Sequence, residues 1–126
     1  MNQRQYHHLV ELLMRCSPEV ILKAADVCDG HSILDPQAFI DAGLPAEVVG
    51  HLTRTYKSDL SSPKSTIFVK GEPVRELSGV YGLDVLRFLA GAVGVEYMRA
   101  LGRGFEARNI QAALHAHFRK SEPTPA

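Results

Sequence analysis

Apolar residues recur at helical spacing at the start of the chain, where Tyr6, Leu9, Val10, Leu12, Leu13 and Met14 form a wide stripe between Gln3 and Arg15. Ser17-Pro18-Glu19 then carries the grammar of a helix start: a hydroxyl cap, proline at the first helical position, an acid in the first turn. Val20, Ile21, Ala24, Ala25 and Val27 continue that helix until Asp29-Gly30 stops it. Asp35-Pro36 repeats the start signal for a short helix ending at Gly43. Leu44-Pro45-Ala46-Glu47 opens another, with Val48, Val49 and Leu52 inward and Tyr56 near its end. Lys57 to Lys64 has no periodicity and reads as a loop. A strand pattern occurs over Thr66–Val69, where Lys70-Gly71 supplies a tight turn and Pro73 confines the return strand to an edge.

Leu83 to Val93 is apolar nearly all round, with Asp84 and Arg87 as a thin polar stripe, which predicts a buried central helix. Six of the ten glycines fall between Gly79 and Gly104 and cut this region into two pieces, 82–89 and 94–101. Twelve residues apart, the pieces match at glycine, at Asp84 and Glu96, at Arg87 and Arg99, and at Leu89 and Leu101. The match predicts a helix, a tight break and a second helix. The last helix is expected from Phe105 to Phe118, with Ala107, Ile110, Leu114 and Phe118 as its core face and residues 121–126 as a flexible tail. The fold class expected is mainly α, a compact bundle of at least five short helices with one small β-hairpin at about residues 66–74, in a single helical domain over 1–120.

Composition narrows the functional classes. A chain of 126 residues that is 45% hydrophobic and 22% charged can build one core, which excludes wholesale disorder. Fourteen basic residues balance fourteen acidic ones, so there is no global attraction to a polyanion or a membrane surface. The balance is uneven: residues 1–60 carry five Lys/Arg against eight Asp/Glu (−3), and residues 61–126 carry nine against six (+3). The polar start lacks an apolar signal core and no apolar run is long enough for a bilayer. Two cysteines, Cys16 and Cys28, make no disulfide framework, so free thiols and a cytoplasmic location without membrane contact are expected.

Leu89-Ala90-Gly91-Ala92-Val93-Gly94-Val95 resembles the turn of a helix-turn-helix, with Ala90 closing the first helix and Gly94 at the left-handed position. The likeness spans seven residues. Ala100 and Arg103 then occupy positions that should be apolar, and Gly102 and Gly104 interrupt the recognition helix. Gly79-Val-Tyr-Gly82 and Gly91-Ala-Val-Gly94 share the Gly-x-x-Gly form of a KH-domain loop but enclose apolar residues. Neither segment is a dinucleotide fingerprint or a phosphate-binding loop, and no cofactor is expected. Arg108, Gln111, His115 and Arg119 share one face of the last helix, with Arg99 and Arg103 just upstream, a stripe able to track phosphates. A solvated helix back accounts for the same residues.

Cys28-x-x-His31 is a ligand-like pair, yet no second pair stands at zinc-finger spacing, so no metal is expected. The same pair is the only local thiol–imidazole combination, and Asp26 and Asp29 beside it raise a thiol pKa, the wrong direction for a nucleophile. No catalytic set is predicted. The first helix, apolar over more than half its circumference, must be central or covered by a partner. Leu9, Leu12 and Met14 are the residues assigned to an association face. The reading is a small non-enzymatic interaction protein acting through helical surfaces, self-associating or bound to another protein. The alternative is a nucleic-acid-binding regulator using Arg99, Arg103, Arg108, Gln111, His115 and Arg119.

Overall fold

A computed structural model describes residues 2–31, 33–57, 67–69, 72–74, 76–98 and 102–121. The elements run α1 (Gln3–Met14), α2 (Pro18–Val27), β1 (Ile33–Leu34), α3 (Pro36–Ala42), α4 (Ala46–Leu52), β2 (Arg54–Lys57), β3 (Ile67–Val69), β4 (Glu72–Val74), β5 (Glu76–Tyr81), α5 (Gly82–Val93) and α6 (Arg103–Ser121). The mainly helical class expected from the sequence is the class observed. Helix starts follow their capping chemistry: the Asp35 carboxylate accepts from Gln37 N–H at 2.9 Å, and Asn2 accepts from Gln5 N–H at 2.7 Å. Ser17 holds the expected N-cap position of α2, with Pro18 first in the helix, but its hydroxyl makes no capping bond.

The central helix is α5. Leu83, Val85, Leu86, Phe88, Leu89 and Ala90 are all buried, and α1, α2, α6 and β5 pack around it. Its left-handed end is the one expected: Gly94 has φ 80° and ψ 30°, and the N–H groups of Gly94 and Val95 both donate to Ala90 O at 2.9 Å. Ala107, Ile110 and Leu114 bury the inner face of α6, with Phe118 half-buried against the same core.

Four expectations are corrected. First, besides the hairpin β3–β4, β5 is the middle strand of an antiparallel sheet ordered β1-β5-β2, with Leu34 opposite Val80 and Arg54 opposite Gly79. Tyr56, expected near the end of α4, lies in β2. The helix stops at Thr53, whose backbone turns extended while its hydroxyl donates to Val49 O at 2.8 Å. Second, residues 95–98 after Gly94 are not helical. Val95 and Tyr97 pack on the core while Glu96 and Met98 face out, an alternation that suits extended chain rather than helix.

Third, α6 starts at Arg103 and extends to Ser121, which the sequence reading assigned to the tail. Fourth, the stripe on α1 is wide because the helix packs on both α4 and α5. Leu9 is buried in the core and Leu12 half-buried against it, while Met14 stays exposed. Tyr6 meets Phe88 edge-on at 6.0 Å between ring centres. The loop expected over 58–64, the Lys70-Gly71 turn and residues 122–126 lie outside the described residues.

Leu86 and Leu89 are both fully buried, as the apolar run predicts. Leu86→Ala is expected to cost about 2–5 kcal/mol, the lost transfer energy plus the cavity left in a close-packed centre. Denaturant unfolding followed by circular dichroism measures it, and a parent-like midpoint refutes the central placement of α5.

Candidate functional site at the start of the last helix

The loop after α2 touches the first turns of both α5 and α6 through bare backbone. A Cβ on Gly30 would collide with Arg103 O and lie 2.6 Å from Gly104 N, and one on Gly82 would lie 2.6 Å from Asp29 O. Side chains then lock the contact. Arg103 Nε donates to Gly30 O at 3.0 Å, and Gln111 Nε2 donates to Ala25 O at 2.9 Å and to Cys28 O at 2.8 Å. The two bonds from Gln111 reach carbonyls at the C-terminal end of α2: Ala25 O, which also accepts from Cys28 N–H at 3.2 Å, and Cys28 O just past the last turn. Asp29 Oδ1 accepts from His31 N–H at 2.7 Å and sets the tight turn that places the imidazole over Gly104.

This contact leaves a cleft. One part, about 210 Å³, is bounded by His31, Gly102, Arg103, Gly104, Phe105 and Arg108. An adjoining part, about 310 Å³, reaches from His31, Gly104 and Arg108 down to Cys28, Asp29, Gly30, Ala107 and Gln111. Its cations contrast with those nearby. Arg87 grips Glu106 with two bonds of 3.0 and 2.8 Å, and that bonded carboxylate raises the Arg87 pKa. Arg54 sits 3.3 Å from Asp84. Arg103 and Arg108 have no acidic partner among the described residues.

The connector from α5 ends at the same corner. Tyr97 Oη donates to Glu106 Oε1 at 3.3 Å, and Asn109 Nδ2 donates to Met98 O at 2.7 Å. Asn109 lies one turn after Phe105 on α6, so the bond holds the connector beside the Phe105 face. Met98 and Phe105 are 80% and 65% exposed, the highest values among the large apolar side chains described.

The residues proposed for phosphate tracking are largely engaged by the protein itself. Gln111 and Arg103 bind backbone carbonyls, and His115 Nε2 stands 2.8 Å from Asp26 Oδ1. Arg108 and Arg119 are exposed without ion pairs among the described residues, and Arg99 lies outside them. Of the assigned association face, the structure offers only Met14 freely. The sequence reading missed His31, Met98 and Phe105 as a group. Its one available signal was the alternation Val95-Glu96-Tyr97-Met98, which turns Met98 outward.

Cys28 is not poised for chemistry. Its buried Sγ donates to Ala24 O at 3.3 Å, and burial, then the charges of Asp29 and Asp26, push the thiol from an ordinary 9.0 up to about 12. No three His, Cys, Asp or Glu side chains among the described residues gather as a metal site. No helix among them is long and apolar enough to cross a membrane.

Two consequences are measurable. Gln111→Ala removes the donor to Cys28 O and one of the two donors to Ala25 O, and is expected to cost about 1–3 kcal/mol in urea unfolding; an unchanged midpoint refutes the role of Gln111 as an end-cap for α2. For Cys28, the unfolded thiol ionises near its ordinary value while the folded one keeps its proton. The unfolded state therefore binds fewer protons above about pH 9, and stability falls as pH rises from there. Between mildly alkaline pH and the folded value, the wild type should lose stability more steeply than Cys28→Ala. Parallel slopes refute the assignment.

No protein-family model matches this chain, and neither a curated protein nor a solved structure matches it.

Proposed function

We propose that this chain is a non-enzymatic interaction protein that works through helical surfaces and self-associates, with the corner between α5 and α6 as its contact face. The observation that carries the reading is the exposure of Met98 and Phe105 on either side of the Asn109 bond. Single exposed apolar side chains are ordinary, but two large ones on stretches joined by the Asn109–Met98 bond support a surface built to be covered. The corner replaces the face first assigned to Leu9, Leu12 and Met14, because Leu9 and Leu12 are spent on the core. The buried, hydrogen-bonded Cys28 thiol supports a role without nucleophilic chemistry.

The nucleic-acid reading has less support. Of its six residues, only Arg108 and Arg119 are described as exposed and unpaired, eleven positions apart on α6. That separation is about 16 Å along the helix axis. Asp26, beside His115 on the same side, opposes a phosphate chain.

Sedimentation equilibrium tests the proposal. The wild type is expected to be a dimer at micromolar concentration, and Met98→Ser with Phe105→Ser a folded monomer with an unchanged circular-dichroism spectrum. A wild type that stays monomeric near millimolar concentration refutes self-association, and a dimer that survives both substitutions refutes the corner.

A further inference from the structure

The uncompensated charge beside the corner points to the chemistry of a partner. Arg108 borders both parts of the cleft and forms no ion pair among the described residues, although Asp29 lines the same wall. Arg103 spends its Nε on a neutral carbonyl, which leaves its positive charge unbalanced. His31 adds an exposed imidazole over Gly104, its backbone N–H already turned to Asp29. Asp29, the acid on the wall, is held in that turn. Gly104 and Ala107 expose little beyond backbone and methyl, and Phe105 stands at the rim with most of its surface in water.

We infer that this cleft docks an acidic segment of a partner protein, with a carboxylate between Arg108 and His31 and an adjacent apolar side chain on Phe105. Positive charge on one wall and an aromatic ring at the rim complement a carboxylate followed by an apolar residue. A small free anion makes no use of the ring. A nucleic-acid backbone needs a row of cations, whereas here the free charge is concentrated at one spot and the next unpaired arginine on the helix is Arg119. The inference rests on the interaction reading because Phe105 serves both, but the two are separable: Met98 lies outside the cleft lining, and Arg108 reports the cleft.

The test is selection of a phage-displayed random dodecapeptide library on the full chain. Fluorescence anisotropy then follows labelled synthetic copies of the enriched peptides, with a random DNA duplex in parallel. Enriched sequences should pair Asp or Glu with a large apolar residue. Arg108→Glu and Phe105→Ala should each weaken their binding about tenfold or more, with Arg119→Glu, a charge change on the same helix outside the cleft, near wild type. Arg108 and Phe105 are exposed, so circular dichroism and thermal midpoints should show both variants folded. Three results overturn the inference: no enrichment, enrichment without acids, or acidic peptides that bind Arg108→Glu as well as wild type. Duplex binding that outcompetes the peptides and is lost in Arg108→Glu also overturns it and assigns the cleft to nucleic acid. A dimer broken by Met98→Ser with no Arg108-dependent peptide binding removes this inference and leaves self-association standing. Arg108-dependent peptide binding by a strict monomer does the reverse.

Discussion

Three helix ends meet where residues 28–31 pass between the first turns of α5 and α6, and the approach there is backbone to backbone. Gly30 faces the Arg103 carbonyl and Gly82 faces Asp29 with no room for a side chain at either position. Such close approach concentrates carbonyls of the α2 end and the loop after it in a partly buried place, which is costly unless donors reach them. Gln111 and Arg103, both from α6, supply those donors. The helix that presses against the loop is therefore the helix that satisfies it. A side chain at Gly30 would push α6 away and remove its own hydrogen bonds in the same movement.

The cleft follows from this constraint. With the first turn of α6 clamped against the loop, residues one and two turns along the outer side have fixed positions, and Arg108 stands beside His31 on a rigid support. The inner side of the same turns is neutralised, because Glu106 takes both Arg87 and Tyr97. Charge at this end of the molecule is thus sorted, with pairs toward α5 and unpaired cations toward the cleft. Self-association at Met98 and acidic docking at Arg108 would use two parts of the same end of α6.

The helices were legible because each carries a local code. Apolar spacing near 3.6 marks α1, α2, α5 and α6, and proline after a capping residue marks α2 and α3. The sheet was not legible for the opposite reason. Strand β1 has two residues, β2 follows a helix after a single residue, and β5 contains Ser78-Gly79, so no segment shows a sustained period of two. Their pairing is a long-range event, with Ile33 opposite Tyr81. The likeness between 82–89 and 94–101 misled because acids early and arginines late are general helix grammar. Gly94 ends α5 in the left-handed conformation, and residues 95–98 then continue without helix, with Val95 and Tyr97 packed on the core. The wide stripe on α1 left two readings open, a core helix or an association face, and packing on both α4 and α5, with Leu9 and Leu12 on the core, uses it as a core helix.

The candidate site was hidden from the sequence by distance and by cancellation. Its two walls, Gly30 and Arg103, are far apart in the chain, and what joins them is a missing side chain rather than a motif. Net charge gave no hint, because equal numbers of acids and bases sum to zero wherever they stand. A partner does not meet that sum. Arg54 and Arg87 are answered by Asp84 and Glu106, whereas Arg103 is answered by a carbonyl oxygen and Arg108 forms no ion pair among the described residues. Local imbalance within a neutral chain acts over about a Debye length, roughly 8–10 Å in ordinary salt. A field of that range is too short to gather a polyanion from solution, but it is long enough to orient one acidic side chain already brought close by apolar contact at Phe105.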